Sequence, residues 1–434
     1  MERVDLTNIP RLREITTLLR DVSTIESPQE LQRAFAQSMA SLFPTHAYVG
    51  LSRRGLEPGH YKVTRLIKSD EDRQNHHYNP WDTWNEIPTN SGGFLGEIIA
   101  DDEPKLFRNI RIENDPVLGS DFVSMRGMMA IPLFDNGEAI NWGVVFHREP
   151  DGLTVEGLDD FAFRGNLIGR MTRSLVMQRE VNRLNEQLSK QLREIANIQR
   201  SLLPQKTPTI PGLKLATSYL TSDESGGDYF DFFDMGDERW GVLIADVSGH
   251  GAGAATVVAM LQSMLHGFQD RRKGPAAMLS YANRELARKR IDRNFVTAFF
   301  AVFDPERDGL TFVNAGHNPP ALRKGDGTIE TIQGRPSLPL GIIEDEDYEE
   351  QRHMIADCDS IVMYTDGITE AFSPPPERQM FGLEGITSAL VPCTGEPACV
   401  IDSIHEKLYA HTRSRSRADD QTLVAMRVAT NGSC

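Results

Sequence analysis

The first part of the chain alternates helix-like and strand-like patterns of apolar residues. The stretch "ESPQELQRAFAQSMASLF" opens with Ser27 and Glu30 at the spacing of a capping box, and Leu31, Phe35 and Met39 then recur every four residues. This spacing predicts a helix with one buried stripe. Further on, "MMAIPLFDNGEAINWGVVFH" predicts two strands joined by an Asn-Gly turn.

A long helix is predicted next. The stretch "TVEGLDDFAFRGNLIGRMTRSL" has Thr154 as its cap, and residues 166–203 continue with the 4-3-4 spacing of a coiled-coil seam, at Met177, Val181, Leu184 and Leu188. Gln191 then takes an apolar position, and the stripe resumes in a shifted phase at Leu192, Ile195, Ile198 and Leu202. Such a slip changes the local winding of a coil. This helix either packs on its own domains or forms a parallel coiled-coil dimer with a second copy. The apolar seam favours the dimer.

The last part of the chain, after the helix-ending prolines of "LLPQKTPTIPGL", mixes strands and helices. The stretches "GDYFDFFDMGDERWGVLIADVSG", "FVTAFFAVFD", "GLTFVNAGH", "IVMYTDGITEA" and "QTLVAMRV" predict strands. The stretches "AGAATVVAMLQSMLHGF" and "AAMLSYANRELARKR" predict helices. Many antiparallel strands interrupted by helices indicate an α+β domain.

Length, composition and charge limit the number of domains and the classes of partner that the protein can have. A chain of 434 residues is too long for one ordinary core, so two or more domains are expected. No apolar run approaches the length of a membrane span, about 18 residues, and the N-terminus lacks the layout of a signal peptide. We therefore expect a cytoplasmic protein with no membrane contact. A formal net charge of −16 argues against a nucleic-acid partner.

The candidate chemistry lies in aspartates at the ends of apolar strands. Asp246 and Asp366 each end such a run, Asp228 follows two glycines, and Asp419 and Asp420 precede the last strand. Two like charges about 4 Å apart repel by roughly 4 kcal/mol at an effective dielectric near 20. If these side chains converge, they bind cations or are partly protonated. Considered singly, each aspartate is more often a turn or capping residue.

Residues 1–165 resemble a GAF domain, a small sensor module. The resemblance rests on the opening helices, the "AIPL...WGVV" hairpin and the exit helix. It implies an antiparallel sheet with helices and either a small-molecule ligand over the sheet or dimerisation. No residue in this segment identifies a ligand. The predicted organisation is thus a GAF sensor over 1–165, a coiled-coil linker helix over 166–203 and a third domain over 204–434.

Residues 194–428 resemble the SpoIIE/RsbU branch of the metal-dependent protein phosphatase 2C family. The motifs occur in the family's order: "IANIQRSLLP", "IPGLKLATSYLTSDESGGDYFDFF", "GVLIADVSGHGAGAA", "FVTAFFAVFD", "FVNAGHNPPAL", "PSLPLGI", "MYTDGITEA" and "ADDQTLVAMRV". The resemblance implies a protein phosphatase 2C-like β-sandwich flanked by helices. It also implies two Mn²⁺ or Mg²⁺ ions, which would lower the pKa of a water molecule and stabilise charge on the phosphoryl oxygens.

The same resemblance assigns roles to individual residues. Asp246 would bridge both ions with the Val247 carbonyl near the second, Asp366 and Asp419 would hold the first, and Asp228 would bind the second. Asp420 remains an alternative to Asp419 because the two are adjacent.

Two histidines and one arginine are secondary candidates. His250 is a candidate general acid for the leaving serine oxygen, with a structural loop residue as the alternative. His317 is expected to order the site rather than react. Arg417 either meets the phosphate or belongs to a solvated basic stretch.

The resulting hypothesis is a metal-dependent serine/threonine phosphatase controlled by a GAF domain through the linker helix. The resemblance implies a phosphorylated anti-sigma-factor antagonist, a STAS-domain protein, as substrate in bacterial partner switching. Two alternatives remain: an inactive scaffold that binds a partner protein, and a two-metal nucleotide phosphodiesterase. The presence of all four expected carboxylates argues against the first, and the acidic charge and the motif order argue against the second.

Overall fold

The computed structural model describes residues 9–31, 33–34, 45–68, 83–113, 115–223, 225–289, 294–306, 309–335 and 337–429. Two compact units emerge, Met1–Asn185 and Glu186–Cys434. In the described ranges, no helix combines the length and the apolar character that crossing a membrane requires.

The first unit is built on a six-stranded antiparallel sheet. Its spatial order is β3-β2-β1-β6-β5-β4. The strands are β1 (Ala47–Ser52), β2 (His60–Ile67), β3 (Thr89–Ser91), β4 (Lys105–Arg108), β5 (Gly127–Asp135) and β6 (Glu138–His147). The helices with defined bounds are α1 (Pro10–Ser23), α2 (Gly93–Ile98) and the first part of α3 (Val155–Leu202). One face of the sheet packs on α2 and nearby loops, and the other face packs on α3.

The predicted hairpin of the first unit is present as β5 and β6. Asn136 and Gly137 both have positive φ angles, 52° and 87°. Two successive positive φ angles match the twist of a two-residue hairpin turn. The Asn-Gly prediction is therefore confirmed.

The predicted N-terminal helix is only partly covered by the described residues. The Glu30 backbone N–H donates to the Ser27 hydroxyl over 3.3 Å, which is the predicted cap. Leu31 is fully buried, whereas Phe35 and Met39 lie outside the described residues.

Helix α3 is a single helix of 48 residues. The Gly157 N–H donates to the Thr154 hydroxyl over 3.2 Å, and the helix ends at Leu202, two residues before Pro204. The predicted cap and end are thus confirmed. The seam residues Met177, Val181, Leu184 and Leu188 are 57%, 54%, 50% and 54% exposed.

The second unit contains two five-stranded sheets with the orders β14-β11-β10-β9-β8 and β13-β12-β15-β16-β7. The first sheet comprises β8 (Asp228–Gly236), β9 (Arg239–Val247), β10 (Val296–Phe303), β11 (Leu310–Ala315) and β14 (Gln351–His353). The second comprises β7 (Leu213–Leu220), β12 (Ala321–Arg323), β13 (Ile329–Thr331), β15 (Ser360–Tyr364) and β16 (Gln421–Val428). The helices are α4 (Ala252–Gly267), α5 (Pro275–Lys289), α6 (Asp366–Thr369), α7 (Gly382–Leu390) and α8 (Pro397–Thr412).

The two sheets of the second unit share one apolar core. Phe299 and Phe312 of the first sheet belong to the same buried cluster as Met363 and Met426 of the second. Residues of α4 and α5 extend this cluster, while α7 and α8 cover the second sheet through a separate cluster. This β-sandwich flanked by helices, together with the antiparallel sheet and the long helix, confirms the predicted α+β fold.

Candidate metal centre

Asp228 and Asp246 lie side by side on neighbouring strands. β8 and β9 form a hairpin in which Asp228 is paired with Asp246. The Asp228 carboxylate is buried and accepts hydrogen bonds from the hydroxyls of Thr365, over 2.8 Å, and Thr422, over 2.5 Å. Burial and the charge of Asp246 nevertheless raise the Asp228 pKa well above its usual value.

Asp246 is the residue on which the neighbouring charges converge. Its pKa is raised to about 8, first by burial and then by the charges of Asp366, Asp419 and Asp420. A hydrogen bond with the Asp228 side chain lowers the Asp246 pKa and partly offsets this increase. Four carboxylates from three other segments therefore act on this side chain.

Asp366 is the first residue of the short helix α6 and lies two residues after the end of β15. Burial, followed by the charges of Asp419 and Glu370, raises its pKa to about 6. The strand–aspartate–glycine pattern of the sequence thus delivers a carboxylate to the cluster. Only Thr365 separates this helix from the strand.

The structure gives the adjacent Asp419 and Asp420 different surroundings. The Asp420 carboxylate is buried and accepts hydrogen bonds from the backbone N–H groups of Ser222, over 2.8 Å, and Gly227, over 2.6 Å. Asp419 is exposed, and its carboxylate accepts the Asp420 N–H over 2.8 Å. Asp420 therefore fixes the loop that precedes Asp228, while Asp419 retains oxygens that face outward.

Three glycines allow the segments to approach this closely. A Cβ at Gly226 would overlap the Asp420 carboxylate, and one at Gly367 would overlap the Asp420 carbonyl. A Cβ at Gly227 would lie 2.7 Å from the Val247 carbonyl oxygen and 3.4 Å from Asp246 Oδ1. The carbonyl predicted as a ligand thus lies beside the strand pair that carries Asp228 and Asp246.

The donor set fits hard divalent cations. All of the clustered groups are carboxylate or carbonyl oxygens, which Mg²⁺ and Mn²⁺ prefer. In the described ranges, no lysine or arginine forms an ion pair with Asp228, Asp246, Asp366 or Asp419. The same ranges hold no complete set of three His, Cys, Asp or Glu ligands around one point. Mg²⁺ sites usually keep several waters and few carboxylates, so an open arrangement is compatible with such ions.

The secondary candidates lie in different surroundings. The His250 side chain is exposed, and its Nδ1 lies 3.2 Å from Asp223 Oδ2. His317 is buried, and its Nδ1 is 2.8 Å from the Thr297 hydroxyl, while burial lowers its pKa to about 4. His317 is therefore neutral near pH 7. The Arg417 Nε donates to the Thr221 carbonyl over 2.8 Å.

Sequence reasoning missed three residues that support the carboxylates. Thr365 and Thr422 both donate to Asp228, and Gln199 of α3 is buried and makes two hydrogen bonds to Gly226. Its Nε2 donates to the Gly226 carbonyl over 2.6 Å, and its Oε1 accepts the Gly226 N–H over 3.1 Å. Each threonine lies within two residues of a candidate aspartate, and this proximity is a usable sequence signal. The sequence around Gln199 gives no such signal.

Part of the second unit matches a known family model. Residues 236–429 match the family model of Stage II sporulation protein E, SpoIIE. The second unit is therefore similar to the SpoIIE family over these residues. The family match does not extend to the first unit, so the GAF resemblance stays a prediction.

Two curated relatives from Bacillus subtilis (strain 168) are similar over part of their length. Phosphoserine phosphatase RsbU is 27% identical over 43% of this chain and 56% of its own. Phosphoserine phosphatase RsbP is 26% identical over 36% of this chain and 40% of its own. The chain spans about half the length of the curated relatives that it matches. The solved RsbU and RsbW domains of Rv1364c from Mycobacterium tuberculosis are 27% identical over 51% of this chain and 62% of that chain, with a TM-score of 0.44.

Proposed function

We propose that the second unit hydrolyses phosphoserine or phosphothreonine in a protein substrate, with two divalent cations bound by its carboxylates. The observation that carries this proposal is the convergence of Asp228, Asp246, Asp366 and Asp419 without an ion-paired cation in the described ranges. A cluster that raises the pKa of Asp246 to about 8 is costly in the fold unless positive charge neutralises it. The SpoIIE family match supports the same reaction class.

Each residue of the cluster has a defined task in this proposal. Asp246 would contact both ions, Asp366 and Asp419 would hold one, and Asp228 and the Val247 carbonyl would hold the other. When bound, such ions lower the pKa of a water nucleophile and stabilise charge on the phosphoryl oxygens. The buried threonines orient Asp228, and Asp420 fixes the backbone that precedes it.

His250 is the group that we assign to protonation of the leaving oxygen. It is exposed on the loop that follows β9, and its Nδ1 lies 3.2 Å from Asp223 Oδ2. His317 is a poorer acid because burial keeps it neutral at physiological pH. Its contact with Thr297, which is paired with Asp246 across β9 and β10, suits a supporting role.

The proposed substrate is a phosphorylated anti-sigma-factor antagonist of the STAS type. Support comes from the resemblance to the SpoIIE/RsbU branch and from the relatives named phosphoserine phosphatases. The acidic net charge also suits a protein substrate better than a nucleic acid.

We further propose that the first unit is a GAF-type sensor that acts through a parallel dimer of α3. The exposed seam from Met177 to Leu188 is an unpartnered apolar stripe with coiled-coil spacing, and a second copy of the same helix would cover it. Gln199 lies on the same helix and holds the loop before Asp228 through Gly226. A change in coil winding near Gln191 would therefore reach a candidate ligand.

The test is phosphate release from a phosphoserine peptide and from p-nitrophenyl phosphate with Mn²⁺, with EDTA and with Asp246→Asn. We expect activity only in the wild type with metal, and at least a hundredfold loss in the variant. Equal activity after both EDTA treatment and substitution contradicts the mechanism. Hydrolysis of a cyclic dinucleotide, without hydrolysis of the phosphoserine peptide or p-nitrophenyl phosphate, would favour a nucleotide phosphodiesterase. No hydrolysis of any of these three substrates would favour an inactive scaffold.

A further inference from the structure

A cavity of about 440 Å³ opens in the first unit between the sheet and α3. Its lining includes Gly50 of β1 and Gly143 of β6, which are paired on neighbouring strands. Gly165 and Gly169 of α3 line it from the helix. The volume is that of ordinary small-molecule sites, roughly 300–1,000 Å³.

The glycines both bring the walls together and keep space between them. A Cβ at Gly143 would lie 2.8 Å from Phe161 Cζ, and one at Gly165 would lie 3.0 Å from Leu133 Cδ2, so larger residues would push α3 from the sheet. A Cβ at Gly169 meets no atom within 4 Å. Position 169 therefore faces open space, where a side chain can be added without a local clash.

The lining combines apolar side chains with an excess of positive charge. Phe161, Leu133 and Ile168 contribute apolar surface, and Tyr48 and Asn141 contribute polar groups. Among the described residues, the charged side chains of the lining are those of Arg54, Arg65, Arg170, Arg173 and Asp135. Four arginines and one aspartate leave a net charge of +3 around the space.

Arg65 is a half-buried arginine of the lining that has no ion pair among the described residues, whereas Arg170, also without one, is exposed. Asp135 forms ion pairs with Arg54, over 2.9 Å, and with Arg173. In the described ranges, the Arg65 guanidinium has no hydrogen bond or ion pair. The side chain is half-buried, and desolvation lowers its pKa although it stays charged at neutral pH. The half-buried Tyr48 ring beside it offers only a neutral hydroxyl, because desolvation raises the Tyr48 pKa.

We propose that this cavity binds a small organic anion whose carboxylate or phosphate meets Arg65 and whose apolar body lies between the sheet and α3. A partly desolvated guanidinium gains most from a bidentate acidic partner, and the described residues supply no such partner there. The glycine-lined space provides room for the rest of the molecule. Occupancy bears directly on α3, because helix residues form one wall.

The experiment compares an anionic probe with a neutral analogue of the same shape on the full-length protein. The anionic probe is 1-anilinonaphthalene-8-sulfonate, and the neutral one is N-phenyl-1-naphthylamine, both followed by fluorescence titration. The wild type is expected to bind the sulfonate at one site, at least tenfold more tightly than the neutral probe. Neither probe needs phosphatase activity, so the outcome is independent of the function proposed for the second unit.

Two variants test separately the contribution of the Arg65 charge and that of the open space at position 169. Arg65→Met is expected to remove the tenfold preference for the anion while binding of the neutral probe persists. Gly169→Leu, which fills open space, is expected to weaken both probes at least tenfold. Matched controls are Arg111→Met, an exposed arginine of the same unit outside the cavity, and Gly267→Leu, a glycine of α4 whose Cβ also meets nothing within 4 Å. Thermal melts of all four variants establish that they are folded.

Other results would overturn the proposal. Equal affinity of the wild type for the two probes would refute the proposal that the cavity prefers an anion. Sulfonate binding that stays unchanged in folded Gly169→Leu places the probe on another surface and refutes the site. A loss of the same size in Arg111→Met or Gly267→Leu shows a non-specific effect and refutes it as well.

Discussion

Replacing Asp246 by asparagine is expected to stabilise the metal-free protein while abolishing its activity. The pKa of Asp246 is about 8 in the fold, against an ordinary value of 3.8. Because the folded pKa is raised, the folded state retains a proton that the unfolded chain has released, and stability falls as pH rises through this window. At pH 7.5 the difference spans roughly 4 pKa units, a ceiling of about 5 kcal/mol at about 1.36 kcal/mol per unit.

Asparagine removes this cost because it is neutral and nearly isosteric, and its amide can donate to Asp228. Relaxation of the loops reduces the gain below the ceiling, so we expect about 2 kcal/mol or more. For a domain of this size that corresponds to roughly 4–8 °C in Tm. The assay is thermal unfolding in EDTA at pH 7.5, with Asp347→Asn, an exposed aspartate of the same unit, as the control.

The pH dependence provides the second half of this prediction. Metal-free wild type should lose stability from pH 5 to pH 8, since the raised pKa values of Asp366, about 6, and Asp246, about 8, both lie above 3.8. Asp246→Asn should flatten this slope, and saturating Mn²⁺ should flatten it in the wild type. If the variant is less stable than wild type in EDTA at pH 7.5, or if the slope is unchanged, the inferred electrostatic strain is absent.

Three further predictions address the loop, the dimer and the glycines. Gln199→Ala removes both hydrogen bonds to Gly226 and should raise the Mn²⁺ concentration required for half-maximal phosphatase activity at least fivefold; an unchanged Mn²⁺ dependence would rule out a link between α3 and the site. Leu184→Asp should convert a dimer to a monomer by light scattering, and a wild type that is already monomeric would exclude the coiled coil. Gly367→Ala should cost about 1–3 kcal/mol in urea unfolding through overlap with the Asp420 carbonyl, whereas Gly253→Ala, which meets nothing within 4 Å, should not destabilise.

Local patterns were sufficient for several elements and for one pair of candidate ligands. The Asn136-Gly137 turn, the Thr154 cap and the end of α3 near Pro204 depend on residues within a few positions of each other, so the sequence indicates them directly. The β8–β9 hairpin is symmetric about position 237, and this symmetry alone places Asp228 opposite Asp246.

The rest of the site depends on contacts between distant segments. Thr365 and Thr422 donate to Asp228 across 137 and 194 positions, and no local pattern encodes the sheet order that brings them together. The different surroundings of Asp419 and Asp420 depend on the backbone N–H groups of Ser222 and Gly227, which only the folded loop presents. The juxtaposition of Asp366 and Asp419 was accessible before the structure only through family resemblance.

The cavity of the first unit was beyond sequence reasoning for a similar reason. Gly50 and Gly143 become neighbours through the register of β1 and β6, and Gly165 joins them through the packing of α3. Arg65 is ordinary in sequence, and its lack of an acidic partner among the described residues becomes visible only in the folded unit.

The most direct test of the central claim is anomalous diffraction at the manganese edge from crystals grown with Mn²⁺. We predict two peaks in the second unit, both within ligand distance of the Asp246 carboxylate, with Asp366 and Asp419 at one and Asp228 at the other. Peaks that all lie away from Asp246, or no peak in this unit at saturating Mn²⁺, would contradict the claim that these carboxylates form a two-ion centre.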